Sequence, residues 1–141
     1  VAQEYLPAAA KGDVRLVLMN GEPLVVDGEY CAYRRKAAKG DVRSNLTAGG
    51  ELAPAEIGPQ ELEIAEIVRP RLIEDGLFLV GLDIAGDKLM EINVFTPGGI
   101  GGAEILTEVD FSGALLDALE RKVEIRRRHG RRFTNRQLAT L

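Results

Sequence analysis

The chain has little cysteine, little histidine and no long apolar run, and each shortage closes a route. Cys31 is the lone cysteine, so no disulfide can form within the chain. A single thiol fits a reducing compartment, and the cytoplasm is the expected location. His129 is the lone histidine, which leaves His-rich metal sites and Ser-His catalysis little to draw on. No stretch approaches the roughly 18 apolar residues of a membrane span, so no membrane partner is expected. The net charge of −4 argues against a nucleic-acid partner for the chain as a whole. Arginine is unevenly spread, however. Six arginines lie between Arg126 and Arg136, a basic tail expected to be solvated. There is no initiator methionine, and the opening Val1-Ala-Gln reads like a strand in mid-course, as expected of a domain cut from a longer protein.

What is present is ordinary in bulk: 141 residues, 45% hydrophobic and 28% charged, enough for one domain with a real core. The informative stretch is residues 81–94, Gly81-Leu-Asp-Ile-Ala-Gly-Asp-Lys-Leu-Met-Glu-Ile-Asn-Val94. It reads as two short strands around a tight turn at Gly86-Asp87. Glu91 and Asn93 are two apart on the second strand, so both side chains leave the same face. Burying an unpaired amide costs roughly 2–7 kcal/mol, so a carboxylate and a carboxamide in an otherwise apolar run need a task. A hard divalent cation supplies one, because Mg²⁺ takes oxygen ligands of this kind.

Asp83 becomes a third ligand only if the turn allows it. A two-residue Gly86-Asp87 loop suits a type II′ hairpin but pairs Asp83 with Met90 and turns it to the wrong face. A three-residue loop, Ala85-Gly86-Asp87, pairs Asp83 with Leu89 and brings three oxygens to one side. The longer loop is the expectation. The alternative to a metal site is an exposed edge hairpin whose polar residues face water.

Residues 1–6 read as a short strand. Residues 14–19 and 22–26 read as a hairpin across Asn20-Gly21, since both central residues of a type I′ turn need positive φ. Asp13 and Arg15 share the face opposite Leu16 and Leu18, which taken alone is a hydrated outer face. Residues 29–35 read as another strand of the same sheet. Residues 36–50, with Gly40 and Gly49-Gly50, form a loop long enough for a lid or a binding loop. Arg35, Lys36, Lys39 and Arg43 give it charge suited to carboxylate or phosphate groups. Asn45-Leu-Thr47 matches a glycosylation acceptor and is discounted, since nothing points to secretion.

Residues 59–75 carry the clearest helix signal: Leu62, Ala65, Val68, Leu72 and Ile73 at helical spacing, Pro59 in the first turn and Gly76 at the C-terminal cap. Pro70 is expected to kink or break it. Residues 77–84 read as a strand. Gly98-Gly-Ile-Gly-Gly102 reads as a flexible connection, or as backbone that approaches a ligand closely; no Gly-Lys-Ser/Thr makes it a Walker loop. Residues 111–128 read as a second helix, its stripe made of Leu115, Leu116, Leu119 and Val123. The pattern gives an α+β fold, a mostly antiparallel sheet packed against helices.

Several segments, in order, carry a resemblance: Ala2-Gln-Glu-Tyr-Leu-Pro7, Gly12-Asp-Val-Arg15, Asn20-Gly-Glu-Pro23, Asp41-Val-Arg-Ser-Asn-Leu-Thr-Ala-Gly-Gly50, Val80-Gly-Leu-Asp-Ile-Ala-Gly-Asp87 and Glu91-Ile-Asn-Val94. Together they resemble the C-terminal half of the ATP-grasp domain of bacterial glutathione synthetases, from about residue 1 to 97, with the helix after Phe111 also fitting. Glu-x-Asn alone marks only ATP-grasp; Arg43-x-Asn-x-x-x-Gly-Gly narrows it to the glutathione synthetase type.

The resemblance implies an ATP-grasp C-terminal subdomain over residues 1–125, then a basic tail over 126–141. It implies an ATP-dependent ligase joining γ-glutamylcysteine to glycine through an acyl phosphate. Gln3, Glu4, Tyr5 and Leu6 would hold adenine, Asp13 would lie near the ribose, and Asn93 would reach the nucleotide as well as the metal. Asp83, Glu91 and Asn93 would hold Mg²⁺ (or Mn²⁺). Arg15 and Arg43 would act at the reacting groups, with Arg35, Arg43, Asn45, Thr96 and Pro97 toward the peptide and glycine. The family's N-terminal half is missing, so the chain alone is expected to be inactive, and a homo-oligomer is possible for the parent. The glycine run at 98–102 departs from the family pattern. The other readings are a non-catalytic binding domain on an ATP-grasp scaffold and a different ATP-grasp peptide or amino-acid ligase. Keeping Arg15, Arg35, Arg43, Asp83, Glu91 and Asn93 together favours the ligase.

Overall fold

The computed structural model describes residues 4, 6–36, 51–94 and 97–141. A 3-10 turn at Pro7–Lys11 leads into β1 (Asp13–Met19). There follow β2 (Glu22–Pro23), β3 (Val25–Val26), β4 (Glu29–Tyr30), β5 (Ala32–Lys36) and β6 (Glu51–Ala53). Next come α1 (Pro59–Asp75), β7 (Leu79–Ala85), β8 (Lys88–Asn93), α2 (Ile100–Thr107), α3 (Phe111–His129) and α4 (Asn135–Ala139). The main sheet runs β6-β5-β1-β7-β8 with β2 also on β1, and every pairing in it is antiparallel. With helices on both faces, this is the expected α+β fold.

Local chemistry explains most of the turns. Asn20 and Gly21 both have positive φ, 57° and 80°, as a type I′ turn requires. Asp27 and Gly28 repeat the device at 52° and 86° and join β3 to β4 in a ribbon of their own. The stretch 29–35, expected as one strand, is therefore split. Glu29–Tyr30 pairs with β3, and Ala32–Lys36 pairs with β1.

Alternation along the strands sorts the side chains into two cores. On one face Leu16, Leu18, Ala32, Val80, Leu82 and Ile84 meet Ala65 and Leu72 of α1. On the other Val17, Cys31 and Tyr33 meet Ala103 of α2 and Phe111 of α3. The helix α1 begins at Pro59, where Glu61 Oε2 accepts the Gly58 N–H at 2.9 Å, and ends at Gly76 in the left-handed conformation. Pro70 does not break it. Pro70 and Glu66 are both exposed, so the helical hydrogen bond that proline cannot donate is missing on the solvent side of the helix, while Ala65 and Leu72 anchor the other. Ile73, expected in the buried stripe, is 39% exposed at its margin.

The glycine run is also a correction. Ile100, Gly101 and Gly102 open α2 rather than forming a loop. A Cβ on Gly102 would sit 2.9 Å from Leu52 Cδ1, so this glycine lets α2 approach β6 closely. The expected stripe of α3 stays largely outside the core: Leu116 is 59% exposed and Val123 49%. The helix is held instead by Phe111 and by Lys122, whose ammonium donates to Asn20 Oδ1 and to the Leu141 carbonyl, each at 2.8 Å. That ammonium also lies 4.9 Å from the Phe78 ring centroid, and burial pushes its pKa down. Among the described residues, no helix is long and apolar enough to cross a membrane.

Candidate functional site

The face that carries Val17 and Tyr33 changes character along its length. Toward the start of β1 it presents Asp13 and Arg15, which alternation places on the same side as Val17. Register brings the partners: Arg15 lies opposite both Tyr33 of β5 and Asp83 of β7, Asp13 opposite Arg35, and Asp83 opposite Glu91 of β8. Asp13 and Arg15 are thus not on a hydrated outer face. They are buried, Asp13 to 1% exposure and Arg15 to 6%.

The Arg15 guanidinium forks onto the Asp83 carboxylate, Nε to Oδ1 and Nη2 to Oδ2, the latter at 2.9 Å. Arg35 donates Nε to Asp13 Oδ2 at 2.9 Å, and its Nη2 lies between Asp13 and Asp83, 2.7 Å from Asp83 Oδ2. Asn93 Nδ2 donates to Asp83 Oδ2 at 3.2 Å. Two buried carboxylates therefore face the buried Arg15 guanidinium and the partly buried Arg35 guanidinium, and charges so far from water persist only because they are matched and hydrogen-bonded. Burial pulls the Arg35 pKa down, but the hydrogen bond to Asp13 and the charge of Asp83 outweigh it, leaving it above the ordinary arginine value. Glu91 is the exception. It is exposed, and among the described residues nothing hydrogen-bonds to its carboxylate.

The hairpin reaches this arrangement by a route other than the expected one. Ala85 pairs with Lys88, so the loop is the two-residue Gly86-Asp87, with Gly86 at φ 60° as a type II′ turn requires. The register then shifts between Asp83 and Ile84: Ile84 pairs with Leu89, but Asp83 pairs with Glu91. Met90 is the extra residue of a β-bulge, and this single insertion returns Asp83 to the face of Glu91 and Asn93. β8 is also an edge strand, not a core strand, which is why Glu91 can stand in water.

Two residues went unremarked in the sequence. Tyr33, fully buried, donates from Oη to the Gly98 carbonyl at 3.3 Å, and Arg15 Nη1 donates to the same oxygen at 3.2 Å. Gly99 follows at φ 105°, and a Cβ there would lie 1.8 Å from Tyr33 Oη, so only glycine passes. Burial raises the Tyr33 pKa, with Arg15 and Arg35 pulling it partly back. Gly81 leaves the space in which Arg15 lies across β7, since a Cβ there would be 3.0 Å from Arg15 Cδ. Position two before Arg35 on one strand was the available signal for Tyr33; nothing local marks Gly81.

The other named residues fall elsewhere. Pro97 is partly buried beside Gly98, Glu4 is exposed and Leu6 partly buried, the last two in no strand ahead of the 3-10 turn. Gln3, Tyr5, Arg43, Asn45 and Thr96 lie outside the described residues. In chemical terms the site offers guanidiniums for an anion and an all-oxygen set, Asp83, Glu91 and the Asn93 amide oxygen, of the hardness Mg²⁺ or Mn²⁺ takes. Among the described residues, no cluster of three His, Cys, Asp or Glu forms a cation site, so the amide oxygen is needed to complete this one.

Comparison with known proteins identifies the family. The family model for the prokaryotic glutathione synthetase ATP-grasp domain matches residues 1–108. The chain is 42% identical over 124 residues to the glutathione synthetase of Vibrio vulnificus (strain CMCP6), covering 88% of this chain and 38% of that protein. It is 42% identical over 122 residues to that of Agrobacterium fabrum, covering 86% and 36%. Against the Escherichia coli O157:H7 glutathione synthetase the identity is 41% over 124 residues, covering 88% and 38%. The chain spans well under half the length of these curated relatives.

Proposed function

The chain belongs to the prokaryotic glutathione synthetase ATP-grasp family, and on that premise we propose that it supplies the cation- and acyl-phosphate-binding part of an ATP-dependent carboxylate–amine ligase. The reaction is the joining of γ-glutamylcysteine to glycine in the cytoplasm. The observation that carries the reading is the convergence of Arg15, Arg35, Asp83, Glu91 and Asn93 from four neighbouring strands at one end of one sheet face. Residues 1–125 are the ATP-grasp part and 126–141 a basic extension.

Asp83, Glu91 and Asn93 would hold Mg²⁺ or Mn²⁺, which when bound offsets charge on the nucleotide phosphates. Arg15 orients the anion formed as the dipeptide carboxylate takes up the phosphoryl group. Such chemistry needs positioning and charge compensation, and no side-chain nucleophile. Arg35, anchored on Asp13, supports a neutral balance around Asp83. Arg43 and Asn45 would close over the dipeptide, sparing the acyl phosphate from water. Thr96 and Pro97 would border the glycine, Gln3 to Leu6 the adenine, and Asp13 the ribose.

The test is a chimera in which this chain replaces its matching 124 residues in the Vibrio vulnificus enzyme. Phosphate release requiring both γ-glutamylcysteine and glycine, and lost in Asp83→Asn, is the expected result. A folded chimera that binds ATP but releases no phosphate with either substrate contradicts the reading. The 141-residue chain alone is expected to bind ATP weakly and to turn over nothing; robust single-turnover phosphorylation by it would also count against the proposal.

A further inference from the structure

We infer that Arg15 is a resident counter-ion that a divalent cation must displace from Asp83, and that Arg35 is not. The inference rests on the reading of Asp83, Glu91 and Asn93 as cation ligands and deepens it.

The Asp83 carboxylate is crowded with donors, three of them on one oxygen. A carboxylate offers about four lone-pair positions. Asp83 receives Arg15 Nε on Oδ1, and Arg15 Nη2, Arg35 Nη2 and Asn93 Nδ2 on Oδ2. The Asp83 side chain is 5% exposed, which leaves little room for an incoming ion to approach from water. Glu91, directly across, is exposed, and no described residue hydrogen-bonds to its carboxylate. The cation site is therefore half open and half filled by positive charge. A cation drawn to Glu91 and the Asn93 oxygen gains its buried ligand only when Arg15 leaves, because Arg15 covers both carboxylate oxygens while Arg35 reaches Oδ2 alone, and a third positive charge beside the two already there is repelled.

The two arginines differ in what they would lose. Arg35 holds Asp13 through both Nε and Nη2 and keeps that partner when Asp83 is taken. Arg15 has Asp83 as its one carboxylate among the described residues; its other bond is to the neutral Gly98 carbonyl. Displacement therefore leaves Arg15 a buried, unmatched guanidinium, which is the condition that recruits an anion. One event both fills the cation site and readies an arginine for phosphate. Tyr33 keeps its own bond to Gly98 throughout, so the backbone beside Arg15 stays in place.

The experiment titrates the 141-residue chain with Mn²⁺ alone, without nucleotide, and reads free Mn²⁺ by electron paramagnetic resonance. Arg15→Met is expected to bind Mn²⁺ at least about tenfold more tightly than the wild type, and Arg15→Lys to fall between them. Adding Glu91→Gln to Arg15→Met is expected to remove the gain. Mn²⁺ binding that Glu91→Gln weakens but Arg15→Met does not tighten overturns the displacement while leaving the ligand assignment. Binding indifferent to Glu91→Gln overturns the ligand assignment and the displacement with it. Should Arg15→Met fail to fold, the wild type answers through its arginine Nε–H resonances during Mg²⁺ titration. The Arg15 signal is expected to move and exchange faster with water while the Arg35 signal holds. An Arg15 signal unchanged at saturating Mg²⁺ overturns the proposal.

Discussion

One face of the sheet has two ends built on opposite rules. At the end covered by α2 and α3, Val17, Cys31, Leu24 and Tyr33 are buried against Ala103 and Phe111. At the other, Asp13, Arg15 and Asp83 are nearly as deeply buried, Arg35 is partly buried, and Glu91 and Asn93 stand at the margin. The strands are the same and the alternation is the same. The apolar end is stable because area leaves water; the polar end is tolerated only because each buried charge has a partner. The comparison teaches that burial alone does not distinguish a core from a site. What distinguishes them is how each end responds when one member is removed.

The largest effect is expected at the polar end. Asp83→Ala leaves Arg15 and Arg35 facing each other without their shared carboxylate and should cost about 3–5 kcal/mol in urea unfolding. The double variant Arg15→Met/Asp83→Leu should recover at least half of that loss, because removing both charges also removes the desolvation problem. No recovery would mean that the pair stabilises by packing and that the two ends are alike. At the apolar end, Leu24→Ala should cost about 2–3 kcal/mol through the cavity it leaves, and no charge-removing second change should restore it.

Gly81→Ala probes the boundary. Its Cβ would press on Arg15 at 3.0 Å, so a loss of about 1–2 kcal/mol is expected. Arg15→Met should make the same substitution nearly neutral. Equal costs in both backgrounds would show that Gly81 is not shaped to Arg15.

Smaller still is the contribution of Cys31. Burial first, and Glu104 second, raise its thiol from an ordinary 9.0 to about 12. A raised folded-state value means that its contribution is intact below pH 9.0 and is lost as pH climbs toward about 12. Unfolding midpoints should fall over that interval, by about 1 kcal/mol near pH 10, and Cys31→Ala should flatten the profile.

Much of this could be read along the chain, and what could not shares a cause. The type I′ turn at Asn20-Gly21, the limits of α1 and the common face of Glu91 and Asn93 depend on neighbours a few residues away. The bulge at Met90 depends on how β8 meets β7, so the right face for Asp83 was expected from the wrong loop. Asp13 and Arg15 looked hydrated because the partners that allow their burial, Arg35 and Asp83, lie 22 and 68 residues further on. Gly101 and Gly102 are poor helix formers, worth about 1 kcal/mol each against alanine; close packing on Leu52 of β6 accounts for Gly102, and nothing packs against Gly101.

Glu91 separates stability from function, and its smallest effect is the most informative. Being exposed, with no described residue hydrogen-bonding to its carboxylate, Glu91→Gln should leave the unfolding midpoint of the chimeric synthetase within about 0.5 kcal/mol of its parent. Measured on the same sample, glycine-dependent phosphate release should be lost. Turnover that survives Glu91→Gln would contradict the assignment of this end of the sheet to cation and phosphate chemistry.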